Sequence, residues 1–370
     1  MKKKITISLI ILAVIVAGIA IYFSQKPKEP ETIKIGAILP LTGPASVFGK
    51  SNLESSQLLV NMFNETSKIK LELIIEDSKS SPKDGINAYK KIFFSNKDVF
   101  FISSELSSVC LSLAPLTSKE GRILMAIAAT PLLNKYKYVF RIYPTAESEA
   151  LAFASSVKNI LKDMNHKIVI FYINDEFGIS TSQLTYEELR KIGFNSVFTE
   201  SFPVISSSEI RNIVGKYKDF DLALIIGYGQ SLGLVIKEFR NINNNAYIIS
   251  SPEVNFPDIL SLITPIDEKI YFIDIPEPPE EIKNLYLQKF QRKPNLVDML
   301  IFDGFNILFM AIKNQIIAKS NNININVDEI YNYILGREFE FYGRTVSVDK
   351  NGNINYKLRL KNLKSLREII

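Results

Sequence analysis

Short apolar runs alternate with longer amphipathic segments along most of this chain. The first four runs are Thr32–Leu39, Lys70–Asp77, Val99–Ile102 and a run that begins at Ile123, and helical patterns separate them. Repeated alternation of strand and helix predicts a mostly parallel sheet with helices on its faces.

A second unit of the same kind begins near Tyr143. Its predicted strands are Lys167–Ile173, Asn195–Phe202, Leu222–Ile226 and Ala246–Ser250. Beyond it, a strand at Ile270–Ile275 precedes two helices and weaker strand patterns at Arg344–Val348 and Asn355–Leu360. Because 370 residues exceed the size at which one core usually keeps growing, we expect an α/β protein with two doubly wound lobes.

The first 23 residues form a separate segment. Lys2–Lys4 precede an apolar run from Ile5 to Phe23, which as a helix would span roughly 28 Å, enough to cross a bilayer. We interpret residues 1–23 as a transmembrane signal anchor, with a cleaved signal peptide as the alternative, and residues 24–31 as a linker. The lysines predict a cytoplasmic N-terminus and an extracytoplasmic body tethered to the membrane.

Composition excludes several function classes. A single cysteine excludes an intramolecular disulfide, and with a single histidine it removes most metal, triad and cysteine–histidine chemistry. The sequence has no Walker loop, nucleophile elbow or zinc motif, so we expect no enzyme, no metal and no cofactor. The net charge of +5 is small and no basic stripe is present, so we expect no nucleic-acid partner.

The stretch from Phe101 to Pro131 carries the first candidate site. An apolar strand ends in a serine-rich turn, and a second apolar strand ends in a loop of small polar residues. Ligands of open α/β sheets bind outside the carboxyl ends of strands. Ser107 and Ser108 open a helix here, so their hydroxyls and the local amides predict an anion cradle. A helix cap is the simpler role for Ser107, and the two roles are compatible.

Several segments together resemble a known family. They occur in its order and spacing from Ile33 to the C-terminus, and they read IGAILPLTGPASVFGKSN, SS…EGRILMAIAATPLL, YVFRIYPTAESEA, INDEFGIS, KDFDLALIIGYG and SPEV. The chain thereby resembles the leucine/isoleucine/valine-binding family of periplasmic solute-binding proteins. The resemblance implies two lobes joined by three crossovers, with residues 32–144 plus 275–340 in lobe I and 145–274 plus 341–370 in lobe II.

The same resemblance implies a function. Such a protein captures a small ligand, here an α-amino acid of aliphatic or branched-chain type, by closure of its lobes. It then delivers the ligand to the permease subunits of an ABC importer. We expect the protein to be a monomer. A sensing domain that signals through a partner is the alternative.

The family pattern also implies a set of binding residues. Together with Ser108, the candidates are Phe48, Ser107, Ala128, Ala129, Thr130, Phe177, Tyr228 and Glu253. Ser107 and Thr130 would receive the ligand carboxylate, and Glu253 with Tyr228 would receive its ammonium group. The two phenylalanines would form the wall around the ligand side chain.

Three of the candidates have a simpler possible role. Thr130 could begin a turn, Glu253 could be a solvated loop residue, and Tyr228 could cover the edge of its lobe. Arg141 is interpreted as structural, and Asp175 with its acidic neighbour as a helix cap.

The chain departs from the family pattern at the candidate site. Ser103 stands where a glycine is common, and Glu105 and Leu106 are unusual beside the cradle. Phe177 and Gly229 stand where tyrosines are frequent, so the side-chain specificity is left open.

Overall fold

The computed structural model describes residues 32–204, 207–263, 266–318 and 325–367. The predictions of an anchor in residues 1–23 and a linker in residues 24–31 therefore lie outside the described residues. Within the described ranges, no helix is both long enough and apolar enough to cross a membrane.

The first sheet has five parallel strands in the order β2-β1-β3-β4-β5. They are β1 (Thr32–Leu39), β2 (Lys70–Asp77), β3 (Phe101–Glu105), β4 (Ile123–Ile127) and β5 (Val139–Arg141). The helices between them are α1 (Ser46–Thr66), α2 (Pro82–Ser95) and α3 (Ser107–Glu120). Helix α2 is capped by Ser81, whose hydroxyl accepts a hydrogen bond from the Asp84 amide.

The second sheet has six strands in the order β13-β10-β9-β8-β6-β7, of which β13 alone is antiparallel to its neighbour. They are β6 (Ile168–Ile173), β7 (Val197–Phe202), β8 (Leu222–Ile226), β9 (Tyr247–Ser250), β10 (Ile270–Asp274) and β13 (Arg359–Asn362). Its helices are α4 (Ala146–Leu161), α5 (Glu176–Lys191), α6 (Ser207–Val214), α7 (Gly229–Ile242) and α8 (Pro257–Leu260).

The remaining elements lie between β10 and the C-terminus. They are α9 (Glu280–Phe290), α10 (Leu296–Ala318), α11 (Val327–Ile334), the hairpin β11 (Arg337–Phe341) with β12 (Arg344–Val348), and α12 (Lys364–Arg367). Helix α10 packs on α1 of the first lobe, where Phe309 contacts Phe63 at 4.8 Å between ring centroids. Residue 353 forms a bridge with Arg141 in β5 of the first sheet. The chain then returns to the second sheet, where β13 pairs with β10.

Both sheets reverse their strand order at one point. The first reverses between β1 and β3, and the second between β6 and β8. The loops after strands on either side of such a switch point diverge and leave a crevice. The crevices of the two sheets therefore fix where a ligand site is built.

Strand β3 corrects the sequence-based prediction of a turn after Ile102. It continues to Glu105, and both serines within it are fully buried. The Ser104 hydroxyl donates to the Ile38 carbonyl, so this polar residue is satisfied inside the sheet. Strand β5 and helix α11 were not predicted, because they are only three and eight residues long.

Candidate functional site

A cavity lies where loops from the carboxyl ends of both sheets meet. It encloses about 470 Å³ of space between protein atoms, its open mouth included. Its wall consists of Phe48, Glu105, Leu106, Ser107, Ile127, Ala128, Ala129, Tyr143, Phe177, Tyr228, Glu253, Leu296 and Val297. Seven of the nine sequence candidates are among these residues, and both lobes contribute.

The two predicted phenylalanines occupy matching positions in the two lobes. Phe48 precedes Gly49 in the first turn of α1, and Phe177 precedes Gly178 in the first turn of α5. A Cβ atom at either glycine would lie within 2.4 Å of the carbonyl oxygen of Pro40 or 1.9 Å of that of Ile173. The glycine therefore lets the first turn of each helix pack against the end of the preceding strand. The aromatic ring beside it then lies at the crevice.

Aromatic contacts join the lobes around this wall. The Phe48 ring meets Tyr228 edge-on at 6.0 Å and Phe256 at 4.6 Å, although Phe48 follows the first sheet and the other two follow the second. Phe177 lies 6.0 Å from Tyr143, also edge-on. These geometries are favourable for aromatic pairs and give the cavity a largely apolar lining.

Ser107 is the hydroxyl of the cavity wall that comes from the first lobe. Its Oγ accepts a hydrogen bond of 3.1 Å from the Ala129 amide, so it joins the ends of β3 and β4. The helix-cap role is not the one observed, because Leu106 occupies the cap position and makes no side-chain cap bond. The Ser107 hydrogen is left to donate into the cavity.

Leu106 holds an unusual backbone conformation beside this serine. Its φ and ψ are 71° and 130°, a backbone conformation that residues other than glycine rarely adopt. Such strain concentrates at ligand sites, where the surrounding structure enforces it. Here it turns the chain sharply between the last residue of β3 and the first residue of α3.

Arg141 supports the Ala128–Ala129 loop from behind. Its Nη1 donates to the Ala129 carbonyl at 3.2 Å, and its Nη2 donates to Asn134 Oδ1 at 2.6 Å. Arg141 is 1% exposed and does not line the cavity. The structural role predicted for it agrees with these contacts.

Glu253 is the carboxyl of the second lobe. It is 7% exposed, so it is not a solvated loop residue, and its Oε1 accepts a hydrogen bond of 2.7 Å from the Tyr143 hydroxyl. Its Oε2 is buried without a partner among the described residues. Burial raises the pKa of Glu253 to about 7, against the lowering by Tyr143.

A second buried carboxyl stands behind Glu253. Glu149 Oε1 lies 3.1 Å from the same Tyr143 hydroxyl, and Oε2 lies 3.5 Å from the Thr181 hydroxyl. Burial first, and the charge of Glu253 second, raise the pKa of Glu149 well above its ordinary value. A protonated Glu149 can donate to Tyr143, which donates to Glu253, so the chain of hydrogen bonds orients Glu253 Oε1.

Tyr228 is held by the cap of α5. Its hydroxyl donates to Asp175 Oδ2 at 2.6 Å, and Asp175 Oδ1 accepts from the Gly178 amide at 3.0 Å. The predicted cap role of Asp175 is therefore confirmed. Since its hydrogen is engaged, the Tyr228 oxygen can still accept a hydrogen bond from a ligand.

Glu105 brings a carboxyl from the first lobe into the same cavity. It is the last residue of β3, is 2% exposed, and accepts at Oε1 a hydrogen bond of 2.7 Å from Asn52 Nδ2. Its Oε2 has no partner among the described residues. Burial raises the pKa of Glu105 to about 8, although the bond from Asn52 lowers it.

Two sequence candidates lie outside the cavity wall. Ser108 follows Ser107 on α3, and successive helical residues point about 100° apart, so only one of the two serines faces the cavity. Thr130 is fully buried, and its hydroxyl donates to Glu176 Oε1 at 2.6 Å while accepting from the Leu132 amide. Thr130 thus joins the lobes instead of facing a ligand.

Six wall residues were not among the sequence candidates. They are Glu105, Leu106, Ile127, Tyr143, Leu296 and Val297. The first two had stood out as unusual residues beside the cradle, and that departure was the available signal. Leu296 and Val297 begin α10, far along the sequence, and only the tertiary fold brings them to the cavity.

A two-lobed α/β fold with a cavity between the switch points of its two sheets is the arrangement of a solute-binding protein. The described residues include no cluster of histidine, cysteine and acidic side chains that could hold a metal ion. Residues 32–315 match the family model described as periplasmic binding protein. The chain belongs to the periplasmic binding protein family.

The curated relatives with similar sequences include Leu/Ile/Val-binding proteins. A Leu/Ile/Val-binding protein homologue of Brucella melitensis is 23% identical over 225 residues, which cover 59% of this chain and 60% of the relative. The matched region thus spans less than two thirds of that relative's length. The family predicted from the sequence is confirmed, and its membership implies an extracytoplasmic location.

Solved structures share the fold at low sequence identity. A leucine binding protein from Thermotoga maritima superposes with a TM-score of 0.77 at 19% identity, covering 90% of this chain and 95% of that one. A solute binding protein from R. palustris in complex with benzoate gives 0.77 at 13% identity, covering 90% and 93%. The fold is the type I periplasmic-binding fold, with two mostly parallel sheets.

Proposed function

We propose that this protein captures an α-amino acid between its lobes and delivers it to an ABC importer. The observation that supports the proposal is the cavity itself, whose wall includes Ser107 from one lobe and Glu253 from the other. A zwitterion carries one group for each, so a single ligand can contact both lobes. Contacts that exist only when the lobes are together favour closure.

The polar groups have defined roles in this proposal. The Ser107 hydrogen and the first amides of α3, which lack acceptors within the helix, would bind the ligand carboxylate. Glu253 Oε2 and the Tyr228 oxygen would accept from its ammonium group. Phe48, Phe177 and the apolar start of α10 would surround its side chain.

An aromatic acid such as the benzoate of the R. palustris structure fits this cavity less well. The wall contains no lysine, arginine or histidine among the described residues, but it contains Glu105 and Glu253. A ligand with a carboxylate and no amine would bring a third acid group and nothing to balance it. The charge of the wall therefore supports a ligand with at least one amine.

The test is ligand binding by the purified full chain after unfolding and refolding to remove any carried ligand. Thermal shift with a panel of amino acids identifies the ligand, and calorimetry measures its affinity. We expect Glu253→Gln and Ser107→Ala each to weaken binding more than tenfold. The control Glu187→Gln, at an exposed carboxyl on α5, should leave the affinity unchanged. We call the pair of contacts from Ser107 to the ligand carboxylate and from Glu253 to its ammonium group the amino-acid clamp. Unchanged affinity in both cavity variants would contradict this clamp.

Delivery and location extend the same proposal. We propose that the apolar run of residues 5–23 holds the body at the outer face of the membrane, where it can reach permease subunits. Retention of the full chain in carbonate-washed membranes tests the tether. Loss of labelled amino-acid uptake in cells that lack the protein would separate import from sensing.

A further inference from the structure

Glu105 is the group in the cavity that the zwitterion clamp does not use. It lies in the same wall as Phe48, Leu106, Leu296 and Val297, all of which are apolar. This is the part of the wall expected to surround the ligand side chain. A carboxyl there requires a hydrogen-bond partner for each oxygen, because a buried polar group that is left unpaired destabilises the protein.

The protein itself supplies only half of that partner set. Asn52 donates to Oε1, and its own oxygen accepts from the Ser56 hydroxyl at 2.8 Å, which fixes the amide with its nitrogen toward Glu105. Oε2 is buried, has no partner among the described residues, and belongs to a residue that lines the cavity. A cationic donor on the cavity side would pair with Oε2 and favour the ionised form of Glu105.

We propose, on the basis of the proposed amino-acid clamp, that the ligand carries a second amine and that Glu105 binds it. The charges of the wall support this assignment: two carboxyls and no cation come from the protein. A neutral amino acid supplies one ammonium group, for Glu253, and leaves Glu105 unmatched. A diamino acid supplies one ammonium group for each carboxyl while its carboxylate remains for Ser107. The ligand class is thus a short diamino acid in place of a branched aliphatic one.

The test compares amino acids that differ only by an ammonium group in place of a terminal methyl group. Suitable pairs are L-2,4-diaminobutyrate with L-norvaline, and L-ornithine with L-norleucine, so chain length is varied independently of charge. Calorimetry with the refolded full chain should show at least tenfold tighter binding of the diamino member in one pair. In Glu105→Leu the order should reverse, because an apolar wall then faces the side chain.

A second variant keeps the result decisive. Glu105→Gln, which has the same shape without the charge, should lose most of the preference even if the leucine variant folds poorly. Tighter binding of norvaline or norleucine by the unmodified protein would overturn this inference and leave the amino-acid clamp intact. Absence of binding by all four compounds would contradict both the inference and the clamp.

Discussion

Asn52 and Ser55 lie one turn apart on α1, and each contacts a buried carboxyl. Ser55 donates to Asp298, whose two oxygens also accept from both Nη atoms of Arg292 and from the Asn295 amide. Asn52 donates to Glu105, which receives nothing else from the described residues. Burial is nearly equal, with Asp298 at 0% and Glu105 at 2% exposure.

The difference lies in what surrounds each carboxyl. Asp298 is enclosed by donors that the protein provides, including an arginine, so its charge is compensated whether or not a ligand is present. Glu105 lines a cavity and lacks such donors. A buried acid without its partner is costly, and its presence in a cavity wall is a sign of a binding site.

Removal of the arginine from the first pair should have the largest effect on stability. Arg292→Ala leaves Asp298 buried without its cation, and we expect a loss of about 3 kcal/mol, near the lower end for such pairs because Arg292 is 32% exposed. Urea unfolding followed by circular dichroism measures the change. Arg211→Ala is the matched control, since that arginine is 71% exposed in its pair with Glu238 and its removal should lower stability far less. Equal losses would mean that burial does not distinguish the two pairs.

The second carboxyl should make stability depend on pH. The pKa of Glu105 rises from 4.5 to about 8 on folding, because of burial. Between these values the folded state binds the proton more tightly than the unfolded state, so the free energy of unfolding falls as pH rises, by at most about 1.4 kcal/mol per pH unit.

Glu105→Gln removes this titration. Relative to the variant, the unmodified protein should therefore lose about 2 kcal/mol of stability between pH 4.5 and pH 6. Urea midpoints at several pH values measure the difference, and Glu187→Gln controls for a lost surface carboxyl. Parallel pH profiles of Glu105→Gln and the unmodified protein would show that Glu105 keeps an ordinary pKa.

The contrast between Asp298 and Glu105 also shows what the sequence could predict. Periodicity predicted β1, β2, β8 and β12 with the bounds that the structure has, since long apolar runs bounded by turn residues have few alternatives. The seven wall residues that were among the sequence candidates were predictable from the family pattern and from the edge of the sheet at which they lie.

Pairing across the fold was not predictable. Nothing local indicates that Asn52 reaches Glu105 or that Tyr143 reaches Glu253, because these partners are 53 and 110 residues apart. The same limit misplaced Thr130: its position after β4 suggested a ligand contact, but only the packed lobes show that Glu176 occupies its hydroxyl. Whether a polar group is free or engaged depends on tertiary geometry.

The smallest expected effect is on ligand affinity and concerns the Thr130 contact. The experiment compares this hydrogen bond between lobes with one that lies within a lobe. Thr130→Val removes a hydrogen bond that forms only when α5 of the second lobe meets the loop after β4 of the first. Loss of about 1 kcal/mol from the closed form should weaken binding of the tightest amino acid about fivefold in calorimetry. Thr185→Val is the control, because its hydroxyl bonds to the Thr181 carbonyl within one helix, and it should leave the affinity unchanged. Equal affinities of the two variants would mean that the Thr130 contact is not part of closure.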